Sequence, residues 1–108
     1  MIDLISDNLD AVAELCRTYG VRKLEVFGSA ATGEWDPKAS DIDLIYEFSD
    51  VSPGLVKRYL EFADALEALF GRHVDLIEDR PFENPYFRYS VRKSRKVIFG
   101  PADGEAAA

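Results

Sequence analysis

Two aspartates, Asp41 and Asp43, lie two positions apart in the stretch Ser-Asp-Ile-Asp-Leu-Ile-Tyr. Apolar residues alternate from Ile42 onward, which predicts a strand whose side chains at i and i+2 point to the same face. Two carboxylates this close repel each other, and a half-buried strand seldom keeps such a pair without a cation. Oxygen ligands suit hard divalent ions, Mg²⁺ above all. The pair therefore predicts a magnesium site, although Asp-x-Asp alone also fits a solvated strand edge.

Two further features would complete a phosphate-handling site. Gly28 ends a predicted strand, where backbone N–H groups can approach a phosphate closely, and the Ser29 hydroxyl adds a donor. Asp75 lies in His-Val-Asp-Leu-Ile. There it shares one face of the predicted strand with Ile77, while Val74 and Leu76 share the other face. Taken singly, Gly-Ser also fits an ordinary turn, and Asp75 fits an edge-strand charge.

The elements that must position these residues follow from hydrophobic periodicity and from cap and turn signals. The first half contains a helix capped by Ser6 or Asp7 and ended by Gly20, a strand over 24–28, a turn-rich connection over 30–40 and a strand over 41–48. The second half contains a helix from Ser52-Pro53 to Gly71, a strand over 73–78, a helix from Asn84-Pro85 to about Ser94 and a strand over 96–99. This order predicts an α+β fold over residues 1–100, one domain with a short sheet flanked by helices, followed by a frayed tail over 101–108.

The combination resembles the signature of the nucleotidyltransferase superfamily of DNA polymerase beta. That signature is Gly-Ser, a connection, Asp-x-Asp, and a third acidic residue on a later strand. The chain looks most like the minimal nucleotidyltransferases of bacteria and archaea, with Ser-Asp-Ile-Asp-Leu at 40–44 and Asn-Pro-Tyr at 84–86 before a basic helix. The resemblance runs from Val21 to Phe99 and implies the mixed sheet of the polymerase beta type.

The resemblance also implies a chemistry. Asp41 and Asp43 would bridge two Mg²⁺ ions, and Asp75 would bind the second ion and accept the proton of an attacking hydroxyl. Gly28 and Ser29 would hold the β- and γ-phosphates of ATP. Minimal nucleotidyltransferases of this type act as antitoxins that adenylylate a tyrosine of a HEPN-type ribonuclease toxin, so a hetero-oligomer with such a toxin is expected.

Two departures from the family pattern concern the connection after Ser29. Eleven residues separate Ser29 from Asp41, where ten is commoner. Position 32 is threonine, where these proteins often carry a basic residue. The longer connection alters a loop, whereas Thr32 removes one possible phosphate contact and affects nucleotide affinity.

Composition excludes several classes of function. The net charge of −7 disfavours broad nucleic-acid binding. No apolar run approaches the ~20 residues of a membrane helix, and the N-terminus does not resemble a signal peptide. Cys16, the single cysteine, is expected as a buried apolar residue, and these features together predict a cytoplasmic protein. Residues 1–54 carry the whole excess of negative charge, whereas a basic face at Arg88, Arg92 and Arg95 is expected either as solvated surface or as a contact for phosphate or partner.

The remaining chemistry-bearing residues carry less information. His73 is the single histidine, which excludes a histidine-rich metal site and favours a strand-edge role. Trp35 is interpreted as a loop anchor in preference to a stacking surface for a base. The aromatic residues at helical spacing after Pro85 are expected in the core: Tyr86, Phe87 and Tyr89.

Two other functions compete with protein adenylylation. A binding module could neutralise its partner by covering it, but a vestigial site would have no reason to keep three clustered carboxylates. Nucleotidyl transfer to a small molecule usually requires an additional substrate-binding domain, which this sequence does not contain.

Overall fold

A four-stranded mixed sheet carries the candidate site in the computed structural model, which describes residues 1–101. The strands are β1 (Val21–Phe27), β2 (Ile42–Phe48), β3 (Val74–Glu78) and β4 (Lys96–Phe99), in the order β3-β2-β1-β4. β2 and β3 run parallel, whereas β1 runs antiparallel to both β2 and β4. The predicted α+β architecture with a mixed sheet is confirmed.

Five helices accompany the sheet within residues 1–101: α1 (Asp3–Ser6), α2 (Leu9–Tyr19), α3 (Ser29–Thr32), α4 (Leu55–Phe70) and α5 (Pro85–Ser94). Helices α2 and α4 cover one face, where most of the buried apolar residues form a single cluster. Helix α5 covers the opposite face through a smaller cluster. None of the helices described is long and apolar enough to cross a membrane.

Alternation along the strands decides which residues meet which helices. In β2, Ile42 and Leu44 point into the cluster under α2 and α4, whereas Ile45 packs with Phe27 and Val91 beneath α5. Since side chains alternate, Asp43 lies on the face of Ile45, the α5 face. In β3, Val74 and Leu76 are buried on the face under α2 and α4, as the sequence predicts. Asp75 therefore lies on the same face as Asp43.

Helix α5 begins where the sequence predicts. The Asn84 side chain accepts hydrogen bonds from the backbone N–H groups of Tyr86 at 2.9 Å and Phe87 at 3.2 Å. Pro85 occupies the first helical position, where a missing N–H costs nothing. These contacts satisfy two of the donors that a helix leaves unpaired at its N-terminus.

Helix α4 begins two residues later than the Ser52-Pro53 signal indicates. Its first residue is Leu55, and Gly54 precedes it with a φ of 88°. The Ser52 hydroxyl does not cap the helix, because it accepts a hydrogen bond from the guanidinium of Arg58 at 2.6 Å. The side chain that the sequence assigns to the cap instead contacts Arg58, six residues later in α4 itself.

The first 33 residues also differ from expectation. Ser6 and Asp7 end a short helix, α1, and α2 begins at Leu9 after Asn8. The strand before Gly28 begins at Val21 rather than at residue 24, and α3 forms inside the connection expected to be turns. Gly20 ends α2 in the left-handed region, as predicted. The expected fraying of the tail concerns residues 101–108, which apart from Pro101 fall outside the described residues.

A buried ion-pair network lies between β1 and the end of α5. Lys23 is 4% exposed and Glu25 is 2% exposed, and their ammonium and carboxylate groups lie 3.3 Å apart. Arg95 donates to both carboxylate oxygens of Glu25, at 2.6 and 2.9 Å. Asp79 accepts from Lys23 and from Arg95, at 3.2 Å each. These charges raise the pKa of the Arg95 guanidinium, the hydrogen bond with Glu25 contributing most.

Replacing Arg95 with alanine should lower the free energy of unfolding by about 3–5 kcal/mol, because the buried Glu25 carboxylate would lose its bidentate partner. Arg92→Ala is the matched control, since Arg92 is exposed on the same helix and its loss should cost less than about 0.5 kcal/mol. Urea denaturation measures both values, and equal stabilities for the two variants would contradict the structural role of Arg95.

Candidate active site

The three predicted carboxylates meet at one end of the sheet. In the parallel pairing of β2 with β3, Asp43 lies directly opposite Asp75. Asp41 precedes β2 and is exposed, as is Asp75, whereas Asp43 is half-buried. Carboxylate oxygens of Asp41 and Asp75 lie within 4.8 Å of each other. The structure therefore brings Asp75 beside Asp41 and Asp43, from which the sequence separates it by more than thirty positions.

Asp43 has an unusual pKa. Four causes together raise the pKa of its carboxyl to about 6: burial contributes most, followed by the charge of Asp75, a hydrogen bond shared with Asp75 and the charge of Asp41. All four causes disfavour the ionised form. A bound cation would reverse this balance, because it stabilises the ionised carboxylates that otherwise repel one another.

Gly28 makes room for Asp43. Its backbone has a φ of 71° and a ψ of −150°, a conformation that side-chain-bearing residues rarely adopt. A Cβ atom at this position would lie 2.8 Å from Oδ2 of Asp43. The Gly28 N–H donates a hydrogen bond of 2.9 Å to the hydroxyl of Ser94 at the end of α5. Ser94 therefore holds the glycine turn, a role for which the sequence contains no signal.

Ser29 follows this turn and is the first residue of α3. Within the described residues its hydroxyl is half-buried and makes no hydrogen bond, so it is available to a ligand. Thr32, the departure from the family pattern, is exposed, and its hydroxyl donates only to the carbonyl of Ser29, at 3.4 Å.

Trp35 anchors the long connection, in agreement with its interpretation from the sequence. Its indole Nε1 donates to the carbonyl of Asp41 at 3.1 Å. The Arg72 guanidinium lies 4.9 Å from the centre of the Trp35 ring and donates to the carbonyl of Ser40 at 2.8 Å. It also contacts the Pro37 carbonyl. These contacts fix the backbone immediately before Asp43 and hold Asp41 at the mouth of the site.

His73 lies between two carboxylates. Its Nδ1 is 2.9 Å from Oε2 of Glu67 in α4, and its Nε2 is 3.2 Å from Oδ1 of Asp75. The hydrogen bond with Asp75 is the main cause that raises the pKa of the imidazole. His73 is exposed at the start of the edge strand, as the sequence suggests, but its position beside the acids was missed. The spacing of two between His73 and Asp75 was the available signal.

A cavity of about 420 Å³ adjoins the carboxylates. It is lined by Phe27, Asp43, Tyr59, His73, Val74, Asp75, Leu76, Ile77 and Phe87. The expectation that Tyr86, Phe87 and Tyr89 form core is wrong, and Phe87, at 36% exposed, is only partly covered. Tyr86 and Tyr89 are 86% and 67% exposed, because only the side of α5 carrying Phe87 and Val91 faces the sheet. Phe87 packs edge-on against the ring of Phe27.

The basic face of α5 is divided by the structure. Arg95 is taken up by the buried ion pairs, whereas Arg88 and Arg92 remain exposed and line a second cavity of about 400 Å³ beside Asp79. The two cavities have no lining residue in common, and none of the three candidate carboxylates lines the second cavity.

The fold and the site together define a nucleotidyltransferase. The family model for the nucleotidyltransferase domain matches residues 10–98, so the chain belongs to that family. The Methanocaldococcus jannaschii protein called "Putative protein adenylyltransferase MJ1379" is 37% identical over 75 residues, 69% of this chain and 74% of its own length. Protein adenylyltransferase MntA of Thermococcus cleftensis is 42% identical over 64 residues, 59% of this chain and 62% of its own length.

Solved structures with this fold are similar over most of the chain. A structure described as a putative minimal nucleotidyltransferase has a TM-score of 0.69 and 31% identity, and the match covers 88% of this chain and 95% of that one. A toxin–antitoxin structure with AMP-PNP has a TM-score of 0.68 at 22% identity, covering 93% and 79%. The complex of a tri-AMPylated Shewanella oneidensis HEPN toxin with an MNT antitoxin has a TM-score of 0.63 at 19% identity, covering 95% and 78%. The last two show similarity of fold alone.

Removing the Asp43 charge should stabilise the protein in EDTA. Its pKa of about 6 exceeds the ordinary value of 3.8, so the folded state binds the extra proton between these values and stability falls as the pH rises through them. Asp43→Asn should therefore raise the free energy of unfolding by about 1 kcal/mol at pH 7, a value reduced for partial exposure, and by almost nothing at pH 4.

Asp64→Asn is the control, since Asp64 is an exposed carboxylate on α4. Urea denaturation at both pH values measures the difference. A stabilisation by Asp43→Asn that does not depend on pH would contradict the assigned cause.

Proposed function

We propose that residues 1–100 form a single catalytic domain that transfers AMP from ATP to a hydroxyl of a protein partner, a HEPN-type ribonuclease toxin, and so acts as its antitoxin. The observation that carries the proposal is the convergence of Asp41, Asp43 and Asp75 beside the Gly28-Ser29 turn. The reaction belongs in the cytoplasm, where ATP and such a partner are available.

The donor set fits magnesium. Asp41, Asp43 and Asp75 would hold up to two Mg²⁺ ions, because a nearby cation offsets the repulsion between clustered carboxylates and the raised pKa of Asp43. Bound there, Mg²⁺ neutralises the triphosphate and lowers the pKa of the attacking hydroxyl.

The chain's own residues would then position the reactants. The free hydroxyl of Ser29 donates to a phosphate oxygen, and Gly28, lacking a Cβ, keeps the path between this turn and Asp43 open. Asp75, which is exposed, accepts the proton of the attacking hydroxyl. The hydroxyl oxygen bonds to the α-phosphorus as the bond to the pyrophosphate oxygen breaks, so no covalent enzyme intermediate forms. Catalysis depends on positioning and charge neutralisation.

The partner is supported by charge and by the relatives. A net charge of −7 suits a basic, RNA-cutting partner better than a nucleic acid. Two relatives bear the name protein adenylyltransferase, and two structures with this fold are toxin–antitoxin complexes. The carboxylates lie at the sheet end beside an open cavity, where a side chain of a second protein can reach them.

Incubation with the partner, ATP and Mg²⁺ should add the mass of one adenylyl group to the partner for each transfer. The partner is obtained by co-purification from the native host and identified by mass spectrometry. Asp41→Asn combined with Asp43→Asn should slow the transfer at least about 10³-fold, since removal of metal-binding charge costs several kcal/mol of transition-state stabilisation.

The matched control removes the same charge elsewhere. Glu61→Gln combined with Asp64→Asn changes two exposed carboxylates of α4 and should leave the rate within twofold. Neutralisation of the partner by the Asp41/Asp43 variant, with no mass gain by the wild type, would instead support a binding module. A mass gain on a small molecule alone would support the third function.

The exposed arginines of α5 would contact the acceptor protein rather than the nucleotide, because the cavity that they line shares no residue with the cavity beside the carboxylates. Arg88→Ala combined with Arg92→Ala should weaken partner binding about tenfold at low salt and less at high salt, with KM for ATP unchanged. Titration calorimetry at two salt concentrations measures the first effect. Wild-type affinity at low salt would make this face ordinary surface, and a higher KM for ATP would assign it to the nucleotide.

A further inference from the structure

His73 and two of the carboxylates form a mixed nitrogen and oxygen donor set. One ligand atom each from Asp41, His73 and Asp75 lies within 4.8 Å of the others. Ligands about 2.0–2.2 Å from one ion are at most about 4.4 Å apart, so side-chain shifts of a few tenths of an ångström would bring the three atoms around a cation. All three residues are exposed, which leaves space for water and substrate ligands.

Glu67 prepares the imidazole for this role. Its Oε2 lies 2.9 Å from Nδ1 of His73 and also accepts the backbone N–H of Val74 at 3.0 Å, so the carboxylate is held in place. Glu67 thus supplies an acceptor for the N–H of Nδ1, and Nε2, which lies 3.2 Å from Oδ1 of Asp75, is the nitrogen that a cation bound to Asp75 would contact. Histidines that bind metals in proteins typically donate their other N–H in this way.

We infer that Asp41, His73 and Asp75 form a site for a divalent transition ion, of which Mn²⁺ is the representative, with Glu67 positioning the imidazole. The inference rests on the proposed function, because the site occupies the position of the second of the two ions. An imidazole nitrogen favours first-row transition ions over Mg²⁺, which takes oxygen ligands almost exclusively. The chain is therefore expected to bind Mn²⁺ at this position in preference to Mg²⁺.

Because His73 is the single histidine, labelling with ¹⁵N-histidine marks one residue. Protein freed of any affinity tag, loaded with Mn²⁺ and AMP-PNP, should give a nitrogen hyperfine coupling in pulsed electron paramagnetic resonance. The coupling should change from ¹⁴N to ¹⁵N on labelling. A spectrum of bound Mn²⁺ without a label-dependent coupling overturns the inference, and this readout uses the wild-type sequence, so a folding defect cannot produce it.

Affinities provide the second measurement. His73→Gln should weaken Mn²⁺ binding at least about tenfold while changing Mg²⁺ binding less than twofold. Glu67→Gln should weaken Mn²⁺ binding by about tenfold, since the charge that raises imidazole basicity is lost. Equal losses for both ions in His73→Gln would mean that the imidazole acts only through Asp75. Adenylyl transfer by the wild type with Mg²⁺ tests the proposed function separately, so that result can stand if the nitrogen ligand is absent.

Discussion

The repulsion between the carboxylates of Asp43 and Asp75 is the constraint on which the architecture of the candidate site depends. Parallel pairing of β2 with β3 places the two side chains opposite each other on one face, with Asp41 close by. Burial and, after it, this proximity raise the pKa of Asp43, so the metal-free protein is less stable than it could be. Natural proteins keep such strain where binding or catalysis uses it. The same repulsion is what makes the site suited to divalent cations.

The C-terminal end of helix α5 connects the candidate site to the buried ion-pair network. Ser94, its last residue, accepts the N–H of Gly28 at the site, and Arg95, the next residue, forms the bidentate ion pair with Glu25. Of these two adjacent residues, Ser94 positions the Gly28 turn and Arg95 stabilises the end of the helix. The glycine turn can be held close to Asp43 because the helix that holds it is itself fixed by buried charges.

Much of the fold and the site was predictable, because local signals were strong. The Asn84-Pro85 cap, the alternation through Ile42 and Leu44, and Asp75 on a third strand all appear where expected. The expectations that were wrong concern side chains whose contacts or burial the local pattern did not indicate. Ser52 caps no helix because Arg58 takes its hydroxyl. Lys23 and Glu25 were not recognised as buried residues, because a strand with charges on one face normally exposes them to water.

The sequence by itself determined the kind of chemistry. Carboxylates at a spacing of two on a strand, and a glycine at the end of the preceding strand, are features of the local sequence. Only the tertiary structure decided which of those groups meet. The partnership of Arg95 with Glu25 joins residues 70 positions apart, and that of Gly28 with Ser94 joins residues 66 apart. The place of His73 beside Asp41 likewise depends on the pairing of β2 with β3. Such contacts arise from the packing of whole elements, and no local pattern encodes them.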